Sequence, residues 1–232
     1  MLNKLYNNIF TDAAEYNAKQ ILSIIKKVSK EGDKILDCGC NDGSFTTKLG
    51  GKKYLYGVDI VFNRVVKALK KGVIVCNTDL NNNLPFKNKS FDIIHSNQVI
   101  EHLFNVDTHI IELHRVLKKR GTVIISTENL SSFHNIFAIL FGQQAFSQNI
   151  SNNYILGNKF SHNYGKKIEI KSWSHKTIFS YQGLKDIFEL YGFEVLNIYG
   201  AGYYPFTGAL SRFFSKIDPK HSAFITLVAR KK

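Results

Sequence analysis

The sequence predicts an α/β fold: a doubly wound, mostly parallel sheet with helices on both faces. Three observations lead there. Short apolar runs alternate with amphipathic stretches along most of the chain. The first apolar run, Lys34 to Cys38, leads directly into a turn with two glycines, ILDCGCNDGSF at residues 35–45. An acid or amide then stands at the end of each of the next three runs: Asp59, Asp79 and Asn97.

Residues 12–30 carry Tyr16, Ile21, Leu22, Ile24, Ile25 and Val28 as a helix-like stripe, ended by Glu31-Gly32-Asp33. Lys34 to Cys38 is the first strand. A helix is expected to open at Gly43 and run to Leu49, closed by Gly50-Gly51. Tyr54 to Val58 is the second strand and ends at Asp59. Asn63 to Lys70 is helical, with Val65, Val66 and Leu69 inward and Gly72 as its stop. Val73 to Cys76 is the third strand, and NNNLPFKNKS separates it from the fourth, Phe91 to His95. A helix over Val106 to Lys118 can be capped by Asp107; Ile110, Leu113, Val116 and Leu117 form its buried face, and Gly121 ends it. Val123 to Ser126 is the fifth strand.

Near the C-terminus, Ser180 caps a helix with Leu184, Ile187, Phe188 and Tyr191 on one face, ended by Gly192. Phe193 to Tyr199 and Phe224 to Ala229 are the last two strands. The link between them shows no strong helix, which predicts an antiparallel final pair. No internal repeat is visible. Residues 130–175 break the alternation with a stretch rich in Asn, Ser, Tyr, Phe and His. Long irregular segments in compact domains are usually functional. The expectation is one domain, residues 1–232, with an insertion at about 130–175 that covers the site. Within it, FHNIFAILFG (residues 133–142) reads by default as a core helix. The alternative is that it packs over a hydrophobic substrate or touches a membrane interface.

A chain of 232 residues with 44% hydrophobic composition has enough apolar surface for a buried core, which excludes disorder. No apolar run approaches the roughly 20 residues a spanning helix needs, and the N-terminal stretch does not read as a signal peptide. Cys38, Cys40 and Cys76 are odd in number and lack CxxC spacing, which argues against a disulfide scaffold or a zinc site and fits a reducing cytoplasm. Lys and Arg total 31 against 18 Asp and Glu, a net charge of +13. That balance favours phosphates, nucleic acid or an anionic membrane surface, or serves solubility alone. The lysines are spread in pairs rather than in a dense tract, which weighs against nucleic acid.

The first strand delivers its chain to the carboxyl edge of the sheet, where ligands of open parallel sheets bind. Gly39 and Gly43 allow backbone to approach a ligand. Asn41, between them, is the non-glycine residue best suited to a left-handed conformation. A dinucleotide would seat its pyrophosphate at the following helix start and normally needs GxGxxG; this loop reads GCNDG and carries Asp37 and Asp42, whose charge opposes a pyrophosphate. S-adenosylmethionine has no phosphate and bears a sulfonium and an ammonium, so acids there are tolerable or helpful. Asp59, 22 residues beyond Asp37, can accept from ribose hydroxyls. Asp79 can accept from an adenine amino group while Leu80 packs on the ring, and Asn97 meets the amino-acid part.

ILDCGCNDGSF, YGVDI, NTDLNNNLPFKNKSFDIIHSNQVIEHL and LKKRGTVIIST together resemble the successive motifs of class I S-adenosylmethionine-dependent methyltransferases, over about residues 20–127. The resemblance implies a Rossmann-like sheet of seven strands, mostly parallel with an antiparallel last strand. It implies cofactor contacts at Asp37, Gly39, Cys40, Asn41 and Gly43 in the first loop, Asp59 and Ile60 after the second strand, Asp79 and Leu80 after the third, and Asn97 and Gln98 after the fourth. Asn41 departs from the usual glycine.

Methyl transfer from a sulfonium is a direct displacement that needs alignment and, for a protonated acceptor, removal of a proton. It requires no metal. His102 and Glu101, just past Asn97, are the candidate bases; a structural histidine is the competing reading. His134, His162, Tyr164 and His175 lie in the insertion as candidate substrate contacts. NPPY or DPPY after the fourth strand and a Pro-Cys nucleophile are both absent, which argues against methylation of nucleic-acid bases. The tail from SHKTIFSYQGL onward is loosely similar to methyltransferases of small molecules, lipids or glycan precursors. The expectation is therefore methyl transfer to a small-molecule, lipid or nucleotide-linked acceptor, at oxygen, by a cytoplasmic enzyme that sits on the membrane periphery if at all. An RNA methyltransferase, a non-catalytic cofactor-binding protein and, distantly, an NAD-linked enzyme are the alternatives.

Overall fold

A computed structural model describes residues 2–51, 53–169 and 174–232. The elements are α1 (Leu2–Val28), β1 (Lys34–Cys38), β2 (Tyr54–Asp59), α2 (Phe62–Lys70), β3 (Ile74–Asn77), β4 (Phe91–Asn97), α3 (Val106–Val116), β5 (Leu117–Glu128), α4 (Phe133–Leu140), α5 (Tyr181–Leu190), β6 (Phe193–Ala201), α6 (Gly208–Ile217) and β7 (Phe224–Lys231). The seven strands form one sheet in the order β3-β2-β1-β4-β5-β7-β6. Neighbours from β3 to β5 are parallel, and β7 runs antiparallel to both β5 and β6. This is the expected doubly wound, Rossmann-like sheet.

Strands buried on both faces are nearly continuous apolar runs, and successive residues serve opposite layers. Ile35, Ile93 and Ile124 pack with Ile21 and Ile25 of α1. Their neighbours Leu36, Ile94 and Ile125 pack with Ile110 and Leu113 of α3 and Leu184 and Phe188 of α5. α2 adds Ala68 to a small cluster with Cys40 and Val73. Among the described residues no helix is long and apolar enough to cross a membrane.

Several boundaries differ from the sequence expectation. α1 starts at Leu2 rather than residue 12. Its early turns are held from afar: Asp12 accepts from Gly208 N–H at 2.8 Å, and Phe10 meets the edge of Phe224. The helix expected from Gly43 shrinks to a 3₁₀ turn, Thr46–Leu49. Gly43 has φ 74°, and the hydroxyls of Thr46 and Thr47 bond inward to Asp37 and to the Gly43 carbonyl. α3 stops at Val116, so Leu117 and Gly121 belong to β5, where Leu117 pairs with Phe91. Asp107 caps nothing; its carboxylate accepts from the Tyr191 hydroxyl at 2.7 Å.

The link between β6 and β7 contains α6, which was not expected. Leu210, Phe213, Phe214 and Ile217 recur at helical spacing and were the available signal. Leu210, Phe213 and Ile217 face outward, and the residues buried against the fold are Ser211 and Ser215. α4 is not a core helix either: Asn135 and Ala138 are buried, and Phe133, Ile136, Phe137, Ile139 and Leu140 are exposed. Residues 170–173 of the insertion lie outside the described residues.

The turn after β1 rests on a buried carboxylate. Asp37 Oδ2 accepts from the Thr46 hydroxyl at 2.6 Å, and Oδ1 lies 3.2 Å from His95 Nδ1 on β4. Phe45 stacks on that imidazole at 4.9 Å. Replacing Asp37 by Ala leaves two buried polar groups without their partner. Asp37→Ala is expected to lower stability by roughly 1–3 kcal/mol, against about 1 kcal/mol for Thr46→Val, read as urea midpoints with unchanged slopes.

His109, fully buried on α3, is pushed by burial from 6.5 down to about 4. Its folded value lies below its unfolded one, so the unfolded chain binds more protons between these values and stability falls as pH drops through that window. By linkage this group alone costs about 2 kcal/mol by pH 5. His109→Gln should therefore flatten the acid limb of the stability curve by about that amount; parallel curves for wild type and variant would contradict it.

Candidate cofactor and acceptor site

The carboxyl ends of four adjacent strands open into a cavity of about 490 Å³. Strand order sets the sequence of groups along its edge: the segment after β3 brings Asp79, Leu80 and Asn81; that after β2 brings Asp59, Ile60, Val61 and Arg64; the turn after β1 brings Gly39 and Asn41; and the end of β4 brings Asn97, Gln98 and Val99.

The turn after β1 is pulled flat against β2. Gly39 N–H and Cys40 N–H both donate to the Val58 carbonyl, at 2.8 and 3.0 Å. Asn41 takes the left-handed conformation, φ 49°, and its N–H donates to Asp59 Oδ2 at 3.0 Å. Asp59 Oδ1 accepts from Val61 N–H at 2.8 Å. This carboxylate, 8% exposed, both fastens the loop and faces the cavity. Gly39 must be bare because a Cβ there would collide with the Val99 side chain. Gly43 is bare for another reason: its Cβ would press on the Ala68 backbone of α2 at 3.0 Å.

The expected cofactor residues thus divide. Gly39, Asn41, Asp59, Ile60, Asp79, Leu80, Asn97 and Gln98 line the cavity. Asp37, Cys40 and Gly43 do not; they lie behind it as bracing. Cys40 is buried against Gly57, and desolvation pushes its thiol up to about 12, which rules out thiolate chemistry at neutral pH. Asp42, expected to put charge at the loop mouth, pairs with Lys71 at 2.7 Å and with Ser44, which hold its carboxyl well below the usual range.

Asn97 Oδ1 accepts from Asn17 Nδ2 at 3.2 Å. Asn17, on α1 and almost fully buried, also donates to Ser126 and accepts from Thr226, joining α1 to β4, β5 and β7. Gln98 sits at φ 56°, its N–H donating to the Ser126 carbonyl at 2.8 Å. Asn17 and the cavity residues Phe10, Arg64, Asn81 and Glu128 were not expected. A polar residue inside the apolar stripe of residues 12–30 was the available signal for Asn17.

Past Gln98 the cavity changes character. Glu101 and His102 occupy a 3₁₀ turn, Ile100–His102. His175 arrives from the far end of the insertion, fixed because Lys176 and Thr177 N–H both donate to the Glu101 carbonyl, at 2.7 and 3.2 Å. Glu101, His102, His175 and Glu128 all line the cavity. Glu101 is fully buried; Oε2 accepts from the Thr127 hydroxyl at 2.9 Å, and Oε1 has no hydrogen-bond partner. Burial raises its carboxyl to about 7. The His102 ring lies 4.9 Å from that of His175. Burial, then repulsion from His175, lowers His102 to about 4, so it is neutral at pH 7.

Of the other expected substrate contacts, His134 lines a small second cavity that shares Phe10 and Glu128 with the first. Burial lowers it to about 3. His162 and Tyr164 line neither cavity.

These groups fit S-adenosylmethionine. A cavity of this size suits a nucleoside ligand. Its edge offers carboxylates for hydroxyl and amino donors and a loop that a Cβ would obstruct. A pyrophosphate would meet Asp59 and Asp79.

The family model described as a methyltransferase domain matches residues 36–125. An uncharacterised protein of Methanocaldococcus jannaschii is 30% identical over 235 residues, covering 99% of this chain and 86% of its own length. The ubiquinone biosynthesis O-methyltransferase of Rickettsia canadensis is 30% identical, over 66% of this chain and 62% of that enzyme. The mitochondrial enzyme of that name from Rattus norvegicus is 27% identical, over 76% of this chain but only 49% of its own. Among solved structures, a SAM-dependent methyltransferase of Thermotoga maritima shares the fold, with a TM-score of 0.62 over 100% of this chain and 96% of the other at 21% identity. With its motifs, strand order and relatives in agreement, the chain belongs to the class I S-adenosylmethionine-dependent methyltransferases.

Proposed function

We propose that this enzyme methylates an oxygen atom of a small organic acceptor, of the small-molecule, lipid or glycan-precursor class. The observation that carries the reading is the make-up of one cavity: a nucleoside-shaped edge continues into a buried end supplied with lone pairs by Glu101, His102 and His175. The named activity of the ubiquinone-biosynthesis relatives supports oxygen as the acceptor atom. When bound, S-adenosylmethionine supplies an electrophilic methyl group on sulfur.

The chain's own residues do the rest. Asp59 accepts from the ribose hydroxyls while keeping its grip on Asn41 and Val61. Asp79, half-buried and bonded through Oδ1 to Asn81, keeps Oδ2 for the adenine amino group. Leu80 packs on the ring, and Asn97 and Gln98 meet the amino-acid end. Asp37, Cys40 and Gly43 fix the loop from behind. At the other end, a hydroxyl acceptor meets a neutral imidazole and the unpartnered Glu101 oxygen, so its proton has an acceptor at hydrogen-bond range. The insertion at about 130–175 belongs to the same single domain and brings His175 to this end of the cavity.

Asp59→Ala is expected to weaken S-adenosylhomocysteine binding by about 1–3 kcal/mol, from lost charged hydrogen bonds and a loosened loop. Calorimetry showing equal affinity would contradict the ribose role. For the acceptor, purified enzyme with methyl-labelled cofactor should label a small-molecule extract and leave total RNA of the same cells unlabelled. Label entering RNA would overturn the assignment.

A further inference from the structure

Three side chains at the acceptor end share an arrangement that proton removal alone does not require. Glu101, His102 and His175 each offer a ligand atom, and these atoms lie within 4.8 Å of one another. Each group is also held by its other polar atom. His102 Nδ1 lies 3.3 Å from the Ser174 carbonyl, and His175 Nδ1 lies 2.6 Å from the Ser147 carbonyl. Bonding to a carbonyl puts the proton on Nδ1 and leaves the Nε2 lone pair of each ring free. Glu101 is pinned through Oε2 by Thr127, which leaves Oε1, fully buried and without a partner. Metal-binding histidines are oriented in this way, with the second ring nitrogen donating to a carbonyl or carboxylate.

We propose that Glu101, His102 and His175 bind a divalent first-row transition-metal cation, and that this cation holds the acceptor oxygen beside the cofactor. Two imidazole nitrogens and one carboxylate select the zinc, cobalt or manganese class over calcium or magnesium. Three protein ligands leave coordination positions open for an exogenous oxygen, as in catalytic sites. Glu128 lines the same cavity, with its Oε2 3.6 Å from His175 Nδ1, the ring nitrogen on the side away from the proposed ligand atom. The nearby Lys176 ammonium is bonded to Asn152 and Ser174. The His175 segment is tied through backbone to Glu101, so the ligand set is assembled before any metal arrives. A hydroxyl on such a cation loses its proton to water more readily and is fixed in place. The inference rests on the acceptor-end assignment above and names its ligand.

Tag-free, chelator-treated protein titrated with Co²⁺ should take up one ion per chain, with visible absorption bands from nitrogen and oxygen ligation, displaced by Zn²⁺. His175→Ala and Glu101→Gln should each weaken Co²⁺ binding about tenfold or more. S-adenosylhomocysteine affinity, measured on the same samples, should stay within a factor of two of wild type, which also certifies folding. Co²⁺ uptake unchanged in both variants, or no uptake by wild type, overturns the metal site and leaves the methyltransferase assignment standing. Loss of S-adenosylhomocysteine binding by wild type with Co²⁺ uptake intact would sink the cofactor reading and not the metal.

Discussion

The carboxylate of Asp37, buried at the end of β1, is the constraint on which the site depends. It reaches Thr46 beyond the turn and His95 on the neighbouring strand, and Phe45 closes over the imidazole. One side chain thereby fixes where the chain leaves the sheet and how far the turn extends before α2 packs beneath it. The consequences run outward: Gly39 and Cys40 N–H fall on the Val58 carbonyl, Asn41 N–H reaches Asp59, and Gly39 comes so close to Val99 that no Cβ fits. An unmet buried hydrogen bond costs more than a met one contributes, so such a junction tolerates few alternative arrangements.

How much the sequence revealed follows from the range of the interactions involved. The central strands β1, β4 and β5 were readable because strands buried on both faces must be apolar along most of their length, and Ile35-Leu36, Ile93-Ile94 and Ile124-Ile125 satisfy that locally. The edge acids were readable for a similar reason: strand order converts sequence position into spatial order. What stayed hidden was decided by contacts across the chain. α6 has a serine-lined inner face and depends on Asp12, almost 200 residues away, for its first N–H. The turn after Gly43 looks helical until Thr46 is drawn under Asp37. The division of Asp37 and Asp59 into brace and cavity wall could not be read either, since both are acids at strand ends.

The insertion shows the same limit. Its composition announced a departure from the alternating pattern; of its residues, His175 lines the main cavity, and His134, Phe146 and Ser147 line the small second one. The apolar run of α4 carries an outward face built from Phe137, Phe141 and Phe160, whose rings touch one another. A run of apolar residues marks hydrophobic contact without saying whether it lies within the fold or outside it.

The two ends of the cavity answer to different physics, and this explains their different visibility. The proposed cofactor end is mostly backbone and edge carboxylates, brought together by the order of the strands. The acceptor end joins Glu101 and His102 to His175, more than seventy residues later, through hydrogen bonds to the Glu101 carbonyl. Spacing within the sequence carries no trace of that meeting, because nothing in a helix or strand period relates position 102 to position 175. Specificity for an acceptor is therefore expected to reside where the inserted segment returns to the sheet: a loop can change its length and composition there without disturbing the buried carboxylate that holds the cofactor edge in place.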